Sequence, residues 1–118
     1  MSDKDVESEI QAKGLTAPRV TPQYIDSTIS ECHYFTAGEA ARAVWSDLNV
    51  ADLIHPNLDL LTICVLVLRN GFTVTGESAC ASQENFDPEI GRKIARENAV
   101  NKIWMLEGYL LKQRLSEQ

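Results

Sequence analysis

Histidine, glycine and proline are scarce in this chain, and no catalytic or metal motif can be assembled from what there is. It has two histidines, six glycines and four prolines in 118 residues. His33 and His55 belong to no HExxH, CxxC or GxSxG pattern, and a metal or an activated nucleophile needs a correctly spaced second group. Gly71, Gly76 and Gly91 lack the spacing of a Walker or dinucleotide-binding loop. The cysteines Cys32, Cys64 and Cys80 are odd in number and irregularly spaced, which reads as free thiols in a reducing compartment rather than a disulfide framework. No stretch approaches the ~20 apolar residues of a membrane helix. The opening MSDKDVESEIQ is too acidic for a secretory signal. These absences point away from an enzyme, a metal, a cofactor and a membrane, and toward the cytoplasm.

Positive charge is also in short supply. Lys and Arg total 11 against 17 Asp and Glu, a net charge of -6. The deficit is uneven, with four basic against nine acidic residues through Leu58 and seven against eight after it. Duplex DNA, whose binding depends on neutralising phosphates, is a poor partner for such a chain. A small anion held by a few arginines remains open.

What is there suggests one domain of class α+β: a small antiparallel sheet, made of a central β-hairpin and a short strand, covered by a long C-terminal helix and a short N-terminal one. The hairpin runs from residue 59 to 81. Asn70-Gly71 between two β-prone runs predicts a two-residue type I′ loop, which sets Arg69 opposite Phe72 and pairs Val67 with Val74 and Val65 with Gly76. The first strand, LTICVLVL, is apolar on both faces and needs cover on both.

Residues 1–20 read as a flexible acidic leader. Within the domain at 21–118, Thr21-Pro22 reads as an N-cap and first turn of a helix ending near Glu31 or Cys32. His33 to Thr36 reads as a short strand, and residues 37–58 as a variable insertion. Asp87-Pro88-Glu89 starts a long helix reaching about Leu115. That helix has two apolar sides, one carrying Ile90, Ile94, Val100, Trp104 and Met105, the other Ala95, Ala99, Ile103, Leu106 and Tyr109. Two apolar sides need two partners, so a symmetric homodimer with this helix at or near the interface is expected.

Candidate binding residues follow from the same layout. Arg69 and Phe72 at the hairpin end form a cation and an aromatic face able to hold a planar ring, or to cover each other at a wet turn. Asn85 either fixes its own loop or meets a ligand. Arg92, Lys93 and Arg96 near a helix start either bind phosphate or form a solvated face. Glu97 and Asn101 lie on the first apolar side, where a polar group needs a partner or a polar cavity.

From Thr62 to Leu111 the elements NGF, ESAC, ENFD, EIG and NKIWMLEGY, together with the YIDSTI helix, resemble the small phage family of the podovirus gene forty-nine and gene sixty-six products. The same layout is similar to the phage Thoeris anti-defence sponge proteins. This chain departs from those in having ENFD for NYD, GESAC for ESSAC and an added middle segment. The resemblance implies a non-enzymatic dimer, or an assembly of dimers, that encloses a cyclic nucleotide signal at subunit contacts inside the host cell. It implies ligand contacts at Phe72, Asn85, and Arg92 or Arg96.

Overall fold

A computed structural model describes residues 2–46 and 53–118, and the fold is α+β. In chain order the elements are α1 (Asp3–Ala12), α2 (Pro22–Thr28), β1 (Ile29–Thr36), α3 (Ala37–Val44), β2 (Leu61–Leu68), β3 (Thr73–Ala79) and α4 (Pro88–Ser116). The three strands form one antiparallel sheet in the order β1-β2-β3. Single 3-10 turns at Pro56–Leu60 and Gln83–Asn85 precede β2 and α4.

Each helix begins where a side chain can satisfy its free amides. Thr21 accepts from Tyr24 N and Asp87 from Glu89 N and Ile90 N, with proline at the first turn in both cases. Where the sequence suggested a flexible leader, Ser2 and Asp5 form a reciprocal capping box and start α1. That helix is tied down. Trp104 Nε1–H donates to Asp3 at 3.0 Å, and the Arg19 guanidinium donates through both terminal nitrogens to the buried Glu7 carboxylate. The expected insertion is structured at its start, where Thr36 and Glu39 box the N-terminus of α3. Its residues 47–52 lie outside those described.

Two sequence-level boundaries move. The second helix stops at Thr28 rather than near Cys32, and the short strand expected at His33 lengthens to eight residues, β1. The β-branched Thr28 and Ile29 favour extended backbone, and pairing with β2 from Ile29 onward replaces helical bonds with ladder bonds.

The hairpin exists, with a register one residue away from the expected one. Leu66 faces Val74 and Cys64 faces Gly76, and Leu68 N–H bonds to Phe72 O at 2.8 Å. The loop therefore holds three residues, Arg69, Asn70 and Gly71. Gly71 N–H closes a turn on Leu68 O at 2.8 Å, and Gly71 itself takes φ +89°. This is a turn followed by a left-handed glycine that forms a bulge, the arrangement preferred by three-residue hairpin loops. A one-residue slip decides which side of β2 meets the helix.

That side is Thr62, Cys64, Leu66 and Leu68, all buried. Against it lies the α4 face of Gly91, Ala95, Ala99 and Ile103, every one buried. Small residues let the helix touch the strand backbone. A Cβ on Gly76 would overlap the Ala95 carbonyl and the Ala99 amide, so Gly76 is where α4 rests on β3. Ile25 of α2 closes the core at the hairpin end. The outer face of β2, with Leu61, Ile63, Val65 and Val67, is only half-buried.

Candidate functional site

Helix α4 lies over β2 and β3 and leaves the inner face of β1 beside it uncovered. A groove of about 580 Å³ opens there, at the end of the sheet away from the hairpin loop. Tyr34 and Thr36 of β1 form one wall, Arg42 of α3 with Asp59 the end, and Phe86, Pro88 and Arg92 at the start of α4 the other wall. The size lies in the range typical of small-molecule pockets, ~300–1,000 Å³.

Thr62, at the start of β2, also lines the groove. It is 3 % exposed, and its hydroxyl has no hydrogen-bond partner among the described residues. Gly91 lies directly above it; a Cβ there would sit 2.8 Å from Thr62 Oγ1. A buried polar group without a partner is costly in a folded protein.

The electrostatics are mixed. Arg42 is engaged by Asp59, whose carboxylate accepts from both terminal nitrogens. Arg92 and Arg96 make no ion pair among the described residues. Arg92 is exposed, while Arg96 is half-buried and close enough to Tyr34 to pull its acidity the other way from burial. Burial, followed by the neighbouring Cys32 thiol, pushes the Tyr34 phenol up to about 12. The phenol therefore stays a neutral O–H donor at physiological pH. The groove offers the rings of Tyr34 and Phe86, the unpaired Arg92 guanidinium with Arg96 beside it, the Tyr34 phenol donor and the Glu39 carboxylate, over the buried Thr62 hydroxyl. It can hold a planar ring and an attached anion.

The residues singled out from sequence do not gather in one place. Arg92 lines the groove, Arg96 lies beside it, and Asn85 is exposed in the turn leading to Phe86. Arg69 and Phe72 are at the opposite end of β2, roughly 23 Å away for a seven-residue rise. They do not share a site within one protomer. The Arg69 side chain bonds to the Ser27 carbonyl and lines a cleft with Tyr24 and Arg114, whereas Phe72 lines a shallow recess with Met105 and Leu106. Asn101 is exposed beside Trp104 in a third recess, beneath α1. Glu97 is exposed as well.

Tyr34, Arg42, Thr62 and Phe86 were not singled out. Phe86 lies within the ENFD element, and Tyr34 within the β-prone HYFT run. Neither histidine lines the groove: His33 pairs with Glu31 at 3.1 Å, and His55 accepts from Asn57 N.

The sequence model of the Phage protein (N4 Gp49/phage Sf6 gene 66) family matches residues 20–115 of the chain. No curated protein and no solved structure matches it.

Proposed function

From the premise that the chain belongs to this phage protein family, we propose that it is a non-enzymatic binding protein that captures a cyclic nucleotide signal of host immunity, a cyclic ADP-ribose isomer or a cyclic oligonucleotide, in the host cytoplasm. The observation that carries this reading is the groove over Thr62. A base fits between Tyr34 and Phe86, because aromatic faces stack on any nucleobase. Arg92 and Arg96 then meet the phosphates, for which guanidinium geometry is suited. The Thr62 hydroxyl gains the partner it lacks. Sequestration requires tight enclosure and no reaction, so the reading asks for no nucleophile.

The protein acts in this reading as a homodimer. Apolar side chains remain exposed on α4, including Met105 at 73 % and Tyr109 at 76 %. A two-fold pairing that sets the hairpin end of one protomer against the groove of the other would unite Arg69 and Phe72 with Arg92 and Asn85. That would close an otherwise open site.

The test is calorimetry and thermal shift with a panel of cyclic ADP-ribose isomers and cyclic di- and trinucleotides. A ligand that binds only the folded state raises the melting temperature by mass action. One member of the panel is expected to do so, and both Arg92→Ala and Phe72→Ala are expected to abolish the shift. An unchanged melting curve with every nucleotide would favour a second reading, for which the exposed apolar side chains of α4 speak: a dimeric phage protein that engages a host or virion protein.

A further inference from the structure

Cys32 and Cys64 belong to neighbouring strands, and their Sγ atoms are 3.8 Å apart. They are diagonal partners on the inner face of the sheet, since Cys32 pairs with Leu66 and Cys64 with Tyr34. Their surroundings are opposite. Cys32 is exposed on an edge strand, while Cys64 is fully buried beneath α4. An accessible thiol is thus in van der Waals contact with a sheltered one. The third thiol is engaged elsewhere, donating to Ser82 O at 3.2 Å.

We propose that Cys32 and Cys64 form an oxidation site that closes reversibly into a disulfide under peroxide. Hydrogen peroxide transfers one oxygen to Cys32, giving a sulfenic acid and water. The Cys64 sulfur then attacks the Cys32 sulfur; the S–S bond forms, the S–O bond breaks, and the hydroxyl leaves as a second water with the Cys64 proton. Two thiols lose two electrons and the peroxide is reduced to two waters. Burial, reinforced by the adjacent Cys32, pushes the Cys64 thiol up to about 12, so Cys64 is a protonated thiol while the exposed Cys32 takes the oxygen.

The geometry makes the closed form strained. A disulfide needs its sulfurs ~2.05 Å apart, and diagonal cross-strand Cα atoms at ~7–8 Å exceed the usual ~4.4–6.8 Å. β1 must therefore slide on β2, which it can do because it is hydrogen-bonded along one edge only. Strained disulfides are the easily reduced ones. Tyr34, opposite Cys64, moves with β1 and takes the groove wall with it; that consequence rests on the binding reading above.

The experiment treats the full chain with hydrogen peroxide, counts thiols and maps peptides without reduction. Free thiols should fall from three to one, with a linked peptide pair carrying Cys32 and Cys64, and dithiothreitol should restore all three. Cys64→Ser should give no such pair and leave Cys32 as a sulfenic or sulfinic acid. In the wild-type chain, oxidation of Cys32 to a sulfinic acid with Cys64 untouched, or a Cys32 bond between two copies, would overturn the proposal. Calorimetry of the reduced and oxidised chain with the same cyclic nucleotides separates the two ideas. Unequal affinity supports the effect on the groove, and equal affinity removes it. If neither form binds a nucleotide, the binding reading fails while the peptide map still decides the disulfide.

Discussion

A hydroxyl buried without a partner costs about 1–3 kcal/mol, and Thr62 carries that cost on the wall of the groove. Replacing it with valine keeps the shape and removes the orphan. Thr62→Val is expected to raise the stability of the unliganded protein by about 1 kcal/mol in denaturant unfolding. It should also weaken nucleotide binding by about tenfold, the equivalent of ~1.4 kcal/mol. A less stable valine variant with unchanged affinity would remove Thr62 from the site. Gly76 is the opposite case, a position that tolerates no added atom because the Ala95 and Ala99 backbone occupies the space. Gly76→Ala is expected to destabilise the fold by about 3 kcal/mol, measured in the same way.

Among the elements, α1 is held by charge. The Arg19 guanidinium donating to Glu7, with Gln11 assisting, lowers the Glu7 carboxyl from 4.5 to about 2. A carboxylate depressed in the folded state stabilises it above the unfolded value and loses that contribution as protons bind. The latch is therefore intact above pH 4.5 and fails as pH falls toward 2. Release would expose Trp104, which donates to Asp3 of α1. In a Trp45→Phe background the emission of Trp104 should shift to the red across that window, and Glu7→Gln should show the shift already at neutral pH. A Glu7→Gln protein with unaltered emission would mean that other contacts hold α1. The legibility of these elements in sequence was uneven for physical reasons. Asp87-Pro88 announced α4 because cap and proline act locally, and α4 begins there. Asn70-Gly71 announced a turn, but a two-residue loop and a three-residue loop with a bulge share that dipeptide, so the register slipped by one. Ser2 and Asp5 had capping-box spacing inside a segment whose polarity suggested disorder. Tyr34, Thr62 and Phe86 converge from three segments, and no periodicity links residues that only the tertiary fold brings together.

The whole molecule measures 59 × 30 × 19 Å, and α4 alone accounts for roughly 43 Å of that length. The sheet is narrower than the helix is long, so Met105, Leu106, Tyr109 and Leu110 are left exposed. No helix among the described residues is long and apolar enough to cross a membrane. A second copy is the proposed cover, and light scattering coupled to gel filtration should report twice the 13.1 kDa chain mass. Met105→Glu should shift the population toward the single-chain mass; a single-chain mass for the unaltered protein would exclude the dimer. Asp87 already occupies the first amides of α4, so an arriving phosphate finds no helix terminus waiting and must be retained by guanidiniums near the solvent. Their pull is screened over ~8 Å at physiological ionic strength. Capture would then loosen in a salt-stressed bacterium and tighten in a dilute one.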